Sequence, residues 1–193
     1  VMYQFGEFQI PCATLRPETI FGVTNLWANP ETTYVKAEVD GQKWIISTEA
    51  AEKLRMQKHI VVELSTLQGT ELIDKTAKNP YTGDDLPILT ASFVDPDMGS
   101  VLVMSVPAHA PFDYIALRDL QDKGKYTDIK AIPLVTVPNF GTVPAQDIVE
   151  KNWAAIEEGA KQVRKFEVPA DWSACADEGL EFKTHEGDSA QVR

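Results

Sequence analysis

The first stretch of this sequence that could do chemistry is Thr14–Thr19 (TLRPET), where two threonines flank an arginine and a glutamate. Threonine hydroxyls can hold a water or a substrate oxygen, and the guanidinium fork of Arg16 suits a phosphate or a carboxylate. The same spacing also allows a structural interpretation, in which the threonines cap a helix and Arg16 pairs with Glu18 on the surface. The residues alone leave both interpretations open.

The second such stretch is Pro107–Asp113 (PAHAPFD). Pro111 suits the first position of a helix, and Asp113 then lies in the first turn, where the helix dipole favours a carboxylate. An ionised Asp113 could bind an ammonium group, or it could simply stabilise the helix start. His109 and Asp113, four residues apart, could also share a metal ion, but a catalytic zinc needs three protein ligands and the other histidines have no supporting spacing.

Two predicted strands position these stretches. Phe8–Ala13 (FQIPCA) precedes the first stretch, and the apolar run Val101–Met104 (VLVM) precedes the second. A continuous Val-rich run of this kind is typical of a strand buried on both faces. Because each stretch follows a strand and begins a helix, we expect both to line one crevice beyond adjacent strand ends.

The remaining pattern predicts an α+β domain with a curved, barrel-like and mainly antiparallel sheet flanked by helices. Asp40-Gly41 between two β-rich runs predicts a hairpin, and Ser47 is expected to cap a helix over Thr48–Met56. Two further helices are predicted, each with an apolar stripe. The stripes are Phe112, Ile115, Ala116 and Leu120 in the helix from Pro111, and Ile148, Trp153, Ile156 and Val163 in the helix over Asp147–Phe166.

Composition limits the classes of function. The chain has 193 residues, 44% hydrophobic and 24% charged, which is typical of one ordinary globular domain. A net charge of −11 argues against bulk electrostatic binding of a nucleic-acid backbone, although a small site could still take a nucleic-acid end. We expect a cytoplasmic protein with no membrane contact, because there is no long apolar run or signal sequence and Cys12 and Cys175 have no redox or metal spacing.

Together the two stretches resemble a known family. Thr14–Gly22 (TLRPETIFG) resembles the threonine-rich motif of the editing domain of class I aminoacyl-tRNA synthetases for leucine, isoleucine and valine, and Val106–Asp113 (VPAHAPFD) resembles its second motif. RPETIFGVTN, Asn79–Gly83 (NPYTG) and Asp113–Asp119 (DYIALRD) are most similar to leucyl-tRNA synthetase of archaeal or eukaryotic-cytosolic type. The synthetase signatures HIGH and KMSKS are absent from this sequence. The resemblance therefore implies a single editing domain over 1–193, with 1–142 as its recognisable core and 143–193 as a peripheral extension.

The resemblance also implies a reaction: hydrolysis of the ester that joins isoleucine, valine, methionine or norvaline to the terminal adenosine of tRNA(Leu). It implies that Asp113 binds the α-ammonium and that Thr14 positions water or the oxyanion. The remaining implied substrate contacts are Thr19, which blocks leucine, Arg16 at the terminal nucleotide, Glu18 supporting the loop, and Met104, Val106 and His109 in the pocket wall.

The implied partners are the 3′ end of tRNA(Leu) and the rest of the parent synthetase, with the isolated domain a monomer. Editing is expected to need no cofactor and no metal, since ATP and Mg²⁺ serve only the aminoacylation core. Two departures from the family pattern are Leu15, where a second threonine is frequent, and Val101, where glycine is usual. They favour an alternative, a non-catalytic module that binds the acceptor end. An editing domain of an isoleucyl- or valyl-type synthetase is another alternative.

Overall fold

The computed structural model describes residues 1–95 and 102–163. Their nine strands are β1 Met2–Phe5, β2 Phe8–Pro11, β3 Asn25–Ala28, β4 Thr33–Val39, β5 Gln42–Ser47, β6 Val61–Gln68, β7 Thr76–Lys78, β8 Asp85–Thr90 and β9 Val103–Ser105. The helices are α1 Thr48–Met56, α2 Pro111–Gln121 and α3 Pro144–Gln162, with 3₁₀ helices at Pro17–Gly22 and Gly69–Glu71. Val101, Phe166 and Cys175 lie outside the described residues.

All nine strands form one mixed sheet in the order β6-β4-β5-β2-β1-β7-β8-β3-β9. Among the described pairings β2–β5 and β3–β8 are parallel and the others antiparallel. The predicted α+β class and mainly antiparallel pairing are therefore confirmed. Within the described part of the chain the sheet is open, with β6 and β9 as its edges.

Local signals in the sequence set the β4–β5 hairpin and α1 as predicted. Asp40 and Gly41 both have positive φ, 50° and 83°, which is the geometry of the tight turn that matches strand twist. Ser47 Oγ accepts a hydrogen bond of 2.9 Å from Ala50 N, so this side chain caps α1 at its start.

The core lies on both faces of β3, whose four residues are all buried. Leu26 packs into the larger apolar cluster, and Trp27 packs on the opposite face with Leu89, Val94 and Leu117. The strand buried on both faces is thus β3, and the prediction that the Val101–Met104 run has this character was wrong over its described part. Because β9 is an edge strand, it is not covered on both faces along its length, and Val103 is 39% exposed between the buried residues Leu102 and Met104.

Helix α2 presents a different face to the sheet from the one its sequence predicted. Asp113 and Leu117 are its buried residues, while Phe112 is 78% exposed, so the assignment of Phe112 to the buried stripe was wrong. Ala116 and Leu120 do pack, partly buried, against the Trp27 cluster. The buried carboxylate sets this rotation of the helix, since its hydrogen-bond partners belong to the sheet and to the turn after β9.

Helix α3 begins three residues earlier than predicted, and its first turns pack against the turn that follows β9. Ala145 N donates to Ala108 O at 3.1 Å, and Pro144, Ala145 and Val149 are buried. The predicted stripe was wrong because Trp153, Ile156 and Val163 are 53%, 61% and 78% exposed. Contacts divide the chain into a unit Val1–Ala155 and a unit Ile156–Arg193. No described helix is both long enough and apolar enough to cross a membrane.

Candidate functional site

The loop after β2 forms one wall of the candidate site, and its polar groups bond to one another. Thr14 Oγ1 accepts a hydrogen bond from Arg16 N at 3.0 Å, and Thr19 Oγ1 donates to Arg16 O at 2.7 Å. Arg16 Nε donates to Glu18 Oε1 at 2.8 Å, and this pairing lowers the pKa of the Glu18 carboxyl. Pro17 begins the 3₁₀ helix. The expected Arg16–Glu18 pair is therefore present, whereas the expected threonine cap is not, because the 3₁₀ helix has Arg16 at its N-cap position and no side-chain hydrogen bond caps it.

These contacts leave part of each group available to a ligand. Thr14 uses only an acceptor position in its described bond, so its hydroxyl proton is open to a substrate or a water. Arg16 engages Glu18 through Nε, and the two terminal nitrogens of the guanidinium can still bind an anion. Thr19 is 2% exposed and its hydroxyl proton is committed to the backbone, which makes it a rigid element of the wall.

Asp113 forms the opposite wall and is only 6% exposed. Its Oδ1 accepts from the indole Nε1–H of Trp27 at 2.9 Å, and its Oδ2 accepts from Val106 N at 2.8 Å. Burial raises the pKa of the carboxyl, and the hydrogen bonds from Val106 and Trp27 act in the opposite direction. A carboxylate can accept about four hydrogen bonds, so a buried Asp113 with two donors can still receive an ammonium group.

His109 lies between the two walls, in the turn that joins β9 to α2. His109 N and Ala110 N both donate to Val106 O at 2.9 Å, which closes this turn. The ring Nε2 accepts from Leu134 N at 2.9 Å, so the imidazole must carry its proton on Nδ1. Burial, together with the charge of Arg16, lowers the pKa of His109, which favours the neutral ring.

The metal alternative receives no support from this geometry. His109 and Asp113 make separate bonds, to Leu134 N on one side and to Trp27 and Val106 N on the other. Over residues 1–95 and 102–163 no group of three or more histidine, cysteine or acidic side chains could hold a metal ion.

A pocket of about 270 Å³ joins the two walls. Every residue predicted for the site lines it except Glu18, which bonds to Arg16 instead. The lining residues are Ala13, Thr14, Leu15, Arg16, Thr19, Val103, Met104, Val106, His109, Ala110 and Asp113. Its size suits an amino-acid side chain rather than a whole nucleotide, since pockets for drug-sized ligands begin at about 300 Å³.

Two features of the site were not found from the sequence. Trp27, the donor to Asp113, lies 86 residues away in the chain. The sequence offered one weak indication of this role, because a tryptophan in a buried strand normally needs an acceptor for its N–H group. Leu134, the donor to His109, lies in an irregular segment with no motif. At the first departure from the family pattern, Leu15 is fully exposed; the second, Val101, lies outside the described residues.

Comparison with known proteins agrees with the resemblance. A family model for the leucyl-tRNA synthetase editing domain matches residues 4–129. Curated leucine–tRNA ligases from Methanothrix thermoacetophila and Methanocaldococcus jannaschii are 46% and 47% identical over 181 and 178 residues, which is 86% and 82% of this chain. The chain spans only 19% of the length of each of these relatives.

Solved structures show the same fold. The GlLeuRS-CP1 structure superposes with a TM-score of 0.68 and 26% identity, covering 77% of this chain and 65% of that one. The editing domain of cytosolic leucyl-tRNA synthetase from P. knowlesi gives a TM-score of 0.66 over 76% of this chain and 65% of that one, and at 18% identity it speaks for the fold alone. Both the family model and the relatives select the leucyl type over the isoleucyl and valyl alternatives. The chain belongs to the family of leucyl-tRNA synthetase editing domains.

Proposed function

We propose that this chain hydrolyses the ester bond between a noncognate amino acid and the terminal adenosine of tRNA(Leu). The single observation that carries the proposal is the pocket in which a buried carboxylate, Asp113, faces the hydroxyl-bearing loop of Thr14 and Thr19. An aminoacyl ester has an α-ammonium, a carbonyl and a side chain. Asp113 offers a partner for the α-ammonium, Thr14 offers a hydrogen-bond donor for the carbonyl, and Thr19 sets a steric limit on the side chain.

Membership in the family explains why such a reaction is needed. A hydrophobic aminoacylation site distinguishes amino acids that differ by one methylene by only about 1–3 kcal/mol of binding free energy, as the aminoacyl-tRNA synthetases themselves illustrate. A second site that destroys the wrong product therefore raises fidelity. The noncognate amino acids proposed for this site are isoleucine, valine, methionine and norvaline.

Asp113 is the residue proposed to orient the substrate. Its carboxylate binds the α-ammonium and so fixes the carbonyl relative to the attacking water. The Thr14 hydroxyl then donates a hydrogen bond to the oxyanion that develops on the carbonyl, or it holds the attacking water. Collapse of the tetrahedral intermediate breaks the carbon–oxygen bond, and the proton lost by water passes to the ribose oxygen of the intact tRNA.

No side chain of the described pocket is placed as a free general base. The lone pair of His109 Nε2 already accepts from Leu134 N, so proton removal from the water falls to the substrate and to ordered water. His109 instead serves as a wall residue, together with Met104 and Val106. Thr19 excludes the branched side chain of leucine, so that the correct product escapes hydrolysis.

Arg16 is proposed to contact the terminal nucleotide, and Glu18 holds the guanidinium in place through its ion pair. The wider partners are the acceptor end of tRNA(Leu) and the parent synthetase. With a net charge of −11 the chain has little general attraction for tRNA, so the parent enzyme supplies most of the binding. The proposed reaction uses no cofactor, and ATP and Mg²⁺ belong to the aminoacylation core.

The test is release of isoleucine from Ile-tRNA(Leu) by this domain, alone and within the parent synthetase. Val-, Thr- and Leu-charged tRNAs are assayed beside it, and Asp113→Ala is the inactive reference. Isoleucine release that depends on Asp113 supports the proposal. Binding of an acceptor-end analogue without turnover, or equal turnover in Asp113→Ala, contradicts it, and the first of these outcomes would favour the non-catalytic module.

A further inference from the structure

Trp27 connects the sheet to the carboxylate of the pocket, and the family motifs do not include it. The residue lies in the middle of β3, is fully buried, and packs with Leu89, Val94 and Leu117. Its indole Nε1–H donates to Asp113 Oδ1 at 2.9 Å. The ring also meets Phe93 edge-on, with centroids 5.8 Å apart, so packing fixes the direction of the N–H group.

We propose that Trp27 is a positioning residue for editing, which holds the Asp113 carboxylate in one orientation through the indole N–H. The inference rests on the proposed function, because it gives Asp113 the task of binding the α-ammonium. Trp27 itself does not line the pocket, so its effect passes through Asp113.

The geometry explains why two donors are needed. The Asp113 side chain can rotate about two bonds, and one hydrogen bond would leave the plane of the carboxylate free to turn. Trp27 Nε1 on Oδ1 and Val106 N on Oδ2 together fix that plane. The donors come from β3 and from the turn after β9, while Asp113 belongs to α2, so three separate elements define the position of one functional group.

The same two hydrogen bonds also affect the protonation of the Asp113 carboxyl. Burial favours the neutral carboxyl, whereas hydrogen bonds to its oxygens favour the carboxylate. The charged and titratable groups that line the pocket with Asp113 are Arg16 and His109, and the cluster around Trp27 adds one titratable residue, Tyr126, whose pKa burial raises to about 12 so that it stays neutral. The backbone donor cannot be deleted by an ordinary substitution, but the indole donor can.

Trp44 offers a matched control. Its indole N–H is buried like that of Trp27 but has no hydrogen-bond partner within the described residues. Trp27→Phe and Trp44→Phe therefore make the same chemical change, and only the first removes a bond to a carboxylate. A third protein, with β-(3-benzothienyl)alanine at position 27, keeps the shape of the indole and replaces the N–H with sulfur, so it preserves the packing if Trp27→Phe folds poorly.

The decisive measurements are the pH dependence of deacylation and the titration of the Asp113 carboxyl by ¹³C NMR. Relative to Trp44→Phe, we expect kcat/KM of the position-27 proteins to fall about tenfold at the acidic end of the pH profile and to recover to within about twofold at its alkaline end, because loss of a donor to a carboxylate favours its protonated form. The carboxyl should titrate at higher pH in the position-27 proteins.

Each other outcome is informative. A loss of activity that is equal at all pH values, with unchanged carboxyl titration, would reduce Trp27 to a packing residue and overturn the inference. Unchanged activity and titration would do the same. If the wild-type domain fails to deacylate any charged tRNA, the proposed function fails, whereas the carboxyl titration still decides whether Trp27 controls Asp113.

Discussion

The two walls of the pocket are built in opposite ways. In the Thr14–Thr19 wall each described side-chain bond joins residues two or three positions apart, and Arg16 and Glu18 are exposed. In the Asp113 wall the carboxylate is buried and bonds to Trp27, 86 residues away, and to Val106 N. One wall is stabilised by its own loop, and the other by the assembled sheet.

Because of this difference, substitutions in the two walls should affect function and folding stability to different degrees. Exposed ion pairs such as Arg16–Glu18 add little to folding, so substitutions there report on the ligand almost directly. Substitutions at Asp113 change folding and function together, because buried donors lose their acceptor. The exposed Arg16–Glu18 pair of the first wall can adjust to a bound nucleotide, whereas buried Thr19 and the Asp113 wall are fixed before the substrate arrives.

The largest effect is expected for Asp113→Ala. Because the buried N–H groups of Trp27 and Val106 lose their acceptor, the free energy of unfolding should fall by about 2–4 kcal/mol. Deacylation of Ile-tRNA(Leu) should fall about 100-fold or more through loss of substrate orientation. Urea unfolding and single-turnover assays measure the two effects, with Arg16→Ala as the control that should leave the unfolding free energy nearly unchanged. Equal stabilities of the two variants would contradict the contrast between the walls.

Thr19→Ala should change specificity more than rate. Removing the methyl and hydroxyl groups opens room for a branched side chain, so hydrolysis of correctly charged Leu-tRNA(Leu) should rise about tenfold or more. Thr19→Ser retains the hydroxyl bond to Arg16 O and separates the role of the methyl group from that of the loop contact. Continued rejection of Leu-tRNA(Leu) by Thr19→Ala would remove Thr19 from the specificity mechanism.

A smaller loss is expected for Thr14→Ala. Its hydroxyl is proposed to donate one hydrogen bond to water or the oxyanion, and loss of one such bond corresponds to about tenfold in kcat. Thr14→Ser should restore most of the activity, since the serine hydroxyl can also accept from Arg16 N. If Ala and Ser variants deacylate equally, the hydroxyl has no part in the chemical step.

The same contrast describes what could be predicted from the sequence. Local signals were sufficient for the Asp40-Gly41 turn, for the Ser47 cap and for the start of α2 at Pro111. The ion pair of Arg16 with Glu18, two residues apart, was also among the expected contacts. These features depend on neighbours in the chain, which spacing alone can reveal.

Features that depend on packing were beyond the sequence. Apolar spacing in α2 allowed a stripe that included Phe112, but a buried carboxylate with partners on the sheet decided which face turned inward. In α3 the stripe that included Trp153 was equally regular, yet burial is limited to the first turns. Periodicity shows that a helix has an apolar face, and tertiary contacts decide whether that face is covered.

The smallest effect should come from Glu18→Gln, at the exposed end of the first wall. Arg16 holds the pKa of Glu18 below its usual range, so the carboxylate is charged throughout the neutral range and the pair itself adds no pH dependence there. Glutamine keeps a side-chain oxygen but removes the charge, which loosens the guanidinium proposed to contact the terminal nucleotide. We expect KM to rise about two- to threefold with kcat unchanged, and the difference from wild type to shrink at high salt because exposed charges are screened. Thermal unfolding should be unaltered. A change in kcat, or a difference that persists at high salt, would contradict the view that Glu18 acts only by holding the exposed guanidinium of Arg16.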